Sequence, residues 1–68
     1  MEKAVKTKWR GVFNYRQTVK ILYNYAYSKE EARVKMCHRL AEKDGVHPSV
    51  VMGLFDGSQD NFTIEIEA

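Results

Sequence analysis

Few side chains in this sequence are suited to chemistry. They are one cysteine (Cys37), two histidines (His38 and His47), Ser49 beside Pro48, and two close acid pairs, Glu30–Glu31 and Glu65–Glu67. A thiolate with an imidazole could act as a nucleophile and base. Cys37 and His38, however, are neighbours on a helical segment and diverge by about a quarter turn or more, so they share no face. Cys37 also falls on the apolar stripe of that helix, where a free thiol is packed and inert. Two histidines and one cysteine do not reach the ligand spacings of a metal site. Ser49 has no apparent base. The acid pairs read as a helix start and the solvent face of a strand, and there is no glycine-rich phosphate loop. A 68-residue chain also has little room for a closed pocket. The expectation is a non-catalytic protein with neither cofactor nor metal.

The elements that would position these residues are legible from periodicity. Residues 8–16 and 18–27 alternate with period two and are rich in aromatic and β-branched side chains, which suit strands. In the first, Trp9, Gly11, Phe13 and Tyr15 form one phase. In the second, Val19, Ile21, Tyr23, Tyr25 and Tyr27 form one phase. The link at Arg16-Gln17 is short enough to force an antiparallel hairpin, although it lacks the usual Asn-Gly or Gly-led sequence.

Ser28 and Glu31 have capping-box spacing, so a helix should begin there. It runs to Asp44, and Gly45 can end it in a left-handed conformation. Its apolar stripe is Ala32, Met36, Cys37, Leu40 and Ala41. Arg33 lies near the middle of that stripe, expected at the rim with its charged head in water. Pro48 suits the first turn of a shorter helix over residues 48–55, with His47 helping to begin it and Asp56-Gly57 ending it. Phe62, Ile64 and Ile66 alternate with polar residues in a final strand.

The fold class is therefore α+β. Its order is β-β-α-(short α)-β: a three-stranded antiparallel sheet packed on one main helix, since neither layer buries its apolar side alone. The last strand is expected beside the first, in spatial order 2-1-3. Residues 1–68 read as a single small domain, with 1–7 as a flexible lead. A chain of this size buries only about 60% of its unfolded surface, so its stability should be modest.

The composition is 44% hydrophobic and 29% charged, which is ordinary for a folded protein. One cysteine cannot form an internal disulfide, and no apolar run approaches a signal sequence or membrane helix. The expected location is cytoplasmic, without membrane contact. The net charge of +2 hides a gradient. Residues 1–28 hold Lys3, Lys6, Lys8, Arg10, Arg16 and Lys20 against Glu2 alone, whereas nothing from Gly45 onward is basic.

Leu40-Ala41-Glu42-Lys43-Asp44-Gly45-Val46-His47-Pro48-Ser49-Val50-Val51-Met52-Gly53-Leu54 resembles a helix-turn-helix DNA-binding motif. Ala41, Gly45, Val46, Val51 and Leu54 occupy its small, turn and apolar anchor positions. The resemblance covers about a quarter of the chain and implies a second helix that enters the DNA groove. Asp44 departs from the pattern, which buries an apolar side chain there. The would-be reading helix offers Ser49, Val50, Met52 and Gly53, without a cation for phosphate or a bidentate reader for bases.

Two surfaces complete the candidates. With the helix over the Trp9–Phe13–Ile21–Tyr23 side, the opposite face would present Lys8, Arg10, Arg16 and Lys20 to a nucleic-acid backbone. That assignment places the aromatics on the buried side, which deprives bases of stacking partners. Glu65 and Glu67 would lie opposite Lys8 and Arg10 as ion-pair partners. The second surface is an edge strand carrying Tyr23, Tyr25 and Tyr27, with Val50 and Met52 of the short helix extending it, for pairing with another protein or a second copy. A protein-binding or self-associating module ranks first, and nucleic-acid binding second.

Overall fold

The computed structural model describes residues 5–67; most of the expected N-terminal lead, residues 1–4, lies outside them, as does residue 68. The elements are β1 (Thr7–Tyr15), β2 (Thr18–Ala26), α1 (Lys29–Asp44), α2 (Pro48–Leu54) and β3 (Phe62–Ile66). The strands form one antiparallel sheet in the order β2-β1-β3, and both helices lie against one side of it. The α+β class and the 2-1-3 order expected from the sequence are those of the structure.

Local chemistry sets each boundary. The hairpin turns on two residues, Arg16 at φ 52° and Gln17 at φ 63°, the backbone of a type I′ turn built without glycine or asparagine. The Arg16 guanidinium lies 3.1 Å from the Asp44 carboxylate and over the Tyr15 ring. At the start of α1 the Glu31 amide donates to Ser28 Oγ at 3.1 Å. The Glu31 carboxylate reaches back one residue further, accepting from the Tyr27 amide at 2.9 Å. Gly45, at φ 72°, closes α1, and its amide donates to the Ala41 and Glu42 carbonyls. His47 caps α2, with Nδ1 accepting the Ser49 amide, and Pro48 fills the first helical position.

The core lies between the helices and one sheet face. Phe13 packs edge-on against Phe55 at 4.9 Å and stacks on Phe62 at 5.5 Å, closed over by Met36, Cys37, Leu40 and Val51. Gly11 is buried where Met36 crosses β1. Arg33 is more enclosed than its rim assignment implied. Its guanidinium bonds the Glu30 carboxylate and donates to the Phe55 carbonyl at 2.9 Å, tying α1 to the end of α2.

The register corrects the sequence reading of β2. A two-residue turn pairs Tyr15 with Thr18, then Phe13 with Lys20, Gly11 with Leu22 and Trp9 with Asn24. Paired residues share a face, so odd positions of β1 lie on the same side as even positions of β2. Leu22 and Ala26 thus face the helices, whereas Val19, Ile21, Tyr23 and Tyr25 face away. The more apolar phase of β2 is the uncovered one.

Candidate functional site: the open sheet face

Three rows cross the uncovered face. Tyr25 lies beside Lys8, Tyr23 beside Arg10 and Glu65, and Ile21 beside Val12 and Thr63. Val19, Ile21, Tyr23, Tyr25 and Tyr27 retain between 44% and 62% of their surface, an unbroken line of five large apolar side chains along one edge. Lys8 Nζ sits 5.2 Å from the centre of the Tyr23 ring, and Lys6 Nζ lies 5.6 Å from that of Tyr27. Arg10 spans the acids of β3, 3.7 Å from Glu65 and 3.9 Å from Glu67. The cross-strand neutralisation expected from the sequence therefore acts on Arg10, while Lys8 caps an aromatic ring instead.

The four basic candidates do not form one patch. Lys8 and Arg10 share the open face. Lys20 pairs with Phe13 and so lies on the helix side, half-buried, with its stem along the sheet. Arg16 is in the turn and bound to Asp44. The cause is again the two-residue loop, which opposes the phases of β1 and β2. The same shift brings the tyrosines, which the sequence reading had buried, into line with Lys8 and Arg10.

The candidate protein-contact residues also divide. Tyr23, Tyr25 and Tyr27 are on the open face. Val50 is half exposed, but on α2, whose neighbour Phe55 packs on the helix side of the sheet, and Met52 is packed against the core. Neither extends the tyrosine row. The outer edge of β2 is partly capped as well. Arg39 donates to the Tyr23 carbonyl at 2.7 Å and Lys35 to the Tyr25 carbonyl at 3.2 Å, which leaves that stretch less open to a further strand.

The helix-turn-helix positions pack differently from the motif. Val51 is buried and Val46 partly so, but Leu54 is 47% exposed and Phe55 takes the anchoring place. Asp44 accepts from the Tyr15 hydroxyl at 2.7 Å. That bond, reinforced by burial, holds the Tyr15 phenol above its ordinary pKa.

Among the groups suited to catalysis, Cys37 is fully buried and burial pushes its thiol pKa up, while His38 is exposed. No base for Ser49 was apparent from the sequence, yet the structure sets His47 Nδ1 2.9 Å from Ser49 Oγ. The same Nδ1 accepts the Ser49 amide, so its lone pair serves the helix cap. Among the described residues no three metal-binding side chains gather, and no helix is long and apolar enough to cross a membrane.

The chain matches no family model, no curated protein and no solved structure. Its functional reading rests on the geometry alone.

Proposed function

We propose that this chain is a non-catalytic protein-interaction module. It binds a protein partner through the open sheet face, with Val19, Ile21, Tyr23, Tyr25 and Tyr27 as the contact row and Lys8 and Arg10 at its border. One observation carries this reading: the hairpin register leaves the apolar phase of β2 outside, although the even phase offers only Leu22 and Ala26 to the core. A small domain that exposes five large side chains in line, and buries a lysine stem and an asparagine beneath them, has not arranged that strand for its own packing. Tyrosine-rich, charge-poor patches are the makings of interface cores. The face carries Lys6, Lys8 and Arg10 against Glu65 and Glu67, a nearly balanced set that gives little pull on a polyphosphate.

The second reading, single-stranded nucleic acid, gains from the same register, because aromatic rings and cations now lie together as stacking surfaces do. One experiment separates the two. The immobilised chain and an Ile21→Ser/Tyr25→Ser variant are compared as baits in lysate, with and without nuclease, at low and high salt. Any protein retained is then purified and titrated against both baits. A protein held by the parent chain through nuclease and salt, lost from the variant, and bound directly when pure supports the proposal. Retention that vanishes with nuclease or with salt supports nucleic acid instead. Equal retention by both baits, with matched thermal stability, refutes the open face as the binding surface.

A further inference from the structure

The opposite edge of the sheet is formed by β3. In an antiparallel ladder, alternate residues turn both backbone groups toward the same neighbour. The Glu67 amide donates to the Lys8 carbonyl and the Asn14 amide to the Asn61 carbonyl, both at 2.9 Å. The odd residues of β3 therefore bond β1, and Phe62, Ile64 and Ile66 turn their amides and carbonyls outward. Among the described residues these outward groups have no hydrogen-bond partner. An open cleft of about 760 Å³ follows this edge toward the start of α1, bordered by Lys29, Arg33, Asp60, Phe62 and Ile64. Phe62–Ile66 has no lysine, no proline and no bulge in its pairing with β1, and its one charge, Glu65, lies on the open face beside Arg10. The β2 edge differs, since Arg39 and Lys35 already occupy two of its carbonyls.

We infer that β3 pairs antiparallel with β3 of a second copy of this chain, about a twofold axis through Ile64, joining the two sheets into one. The sequence of the strand is self-complementary in that register. Ile64 meets its own copy, and Phe62 meets the second copy's Ile66. Each of these pairs consists of outward-facing backbone groups, so both partners exchange hydrogen bonds along the whole strand. On the other face Thr63 meets Glu65 and Asn61 meets Glu67, so no two like charges stand directly opposed. Ile66 is 61% exposed in the single chain despite its helix-side phase, and Phe62 of the second copy would cover it. An axis through Glu65 would set Glu65 against its own copy, and an axis through Thr63 would pair only Phe62–Ile64 of each strand and leave Ile66 opposite Asp60. The cleft supplies the space on the helix side. This dimer uses the edge farthest from the tyrosine row and does not depend on the open-face proposal.

A strand edge buries less than the roughly 800 Å² per partner of a standard stable interface, so the dimer should dissociate on dilution. Sedimentation velocity over a wide concentration range reads this directly. In the same register, residues 63 and 65 form a close pair about 4.5 Å apart at Cα, within the reach of a disulfide. Thr63→Cys and Glu65→Cys proteins, mixed under mild oxidation, should cross-link at least tenfold faster than either alone. Cys37 is buried and stays out of the reaction. Ile66→Lys, at an exposed position, should abolish association without lowering thermal stability. Ile21→Ser/Tyr25→Ser should leave association intact. A monomer at all concentrations overturns the dimer, as do equal cross-linking rates in all three samples. Association lost with the Ile21/Tyr25 variant but not with Ile66→Lys also overturns it, and assigns self-contact to the open face.

Discussion

Replacing Gly11 by alanine should destabilise the protein, although a glycine inside a strand is ordinarily a weakness. A Cβ at Gly11 would overlap the Met36 sulfur and come within 2.6 Å of Phe13 Cε1. Met36 is fully buried, and the Phe13 ring is fixed between Phe55 and Phe62, so neither neighbour has room to retreat. Overpacking of this kind costs about 1–3 kcal/mol. The backbone entropy recovered by removing glycine offsets about 0.5–1 kcal/mol of that. A net loss near 1–2 kcal/mol corresponds to a fall in Tm of about 4–16 °C for a domain of this size. Gly53→Ala provides the internal control. It is the same chemical change, in α2, with nothing within 4 Å of the new carbon, and it should stabilise by up to about 1 kcal/mol. Thermal and urea denaturation followed by circular dichroism measure both. If the two substitutions shift stability in the same direction, the close crossing of α1 over β1 is wrong.

Ile21→Ala should cost less than about 1 kcal/mol, and Leu22→Ala clearly more, in urea denaturation, because only Leu22 packs against the core; the reverse order would restore the opposite register. Gln17→Gly should stabilise by about 0.5–1 kcal/mol, since Gln17 holds φ 63° against its side chain; a loss of stability in the same assay would show that the turn is not type I′. Tyr15 has a folded pKa above its ordinary value of 10.0, so its contribution is complete below pH 10 and lost as pH rises through the folded value. Cys37, raised from 9.0 by burial, acts in the same direction. Tm should therefore decline in alkali. Tyr15→Phe should lower stability by about 1–2 kcal/mol at neutral pH, with the difference from the parent chain shrinking at high pH; a constant difference would contradict the Tyr15–Asp44 bond.

The five elements and their order could be read from the chain because each has a local physical cause. Ser28 and Glu31 start α1, Gly45 ends it and Pro48 starts α2, all through backbone groups within a few residues. The phase of β2 could not be read from hydrophobicity, which favours Val19, Ile21 and the tyrosines as the buried set. The missing signal was arithmetic: a two-residue loop at Arg16-Gln17 pairs Tyr15 with Thr18, and every later pair must join an odd to an even residue. The lack of asparagine or glycine in that loop hid the turn type, and the contact of Arg16 with Asp44 is with a residue distant in sequence. The same error split the basic candidates and buried the tyrosines on paper. The roles of Lys35 and Arg39 on the β2 carbonyls were equally hidden, because they depend on where α1 crosses the sheet.

The open face is tested most directly by paramagnetic relaxation with a neutral, soluble gadolinium chelate, read on side-chain NMR signals. The methyl groups of Val19 and Ile21 and the rings of Tyr23 and Tyr25 should relax strongly. Those of Phe13, Val51 and Phe55 should be protected, with Leu22 between the two groups. Protection of Ile21 and Tyr23 together with strong relaxation at Leu22 would place the tyrosine row beneath the helix and remove the basis of the proposed interface.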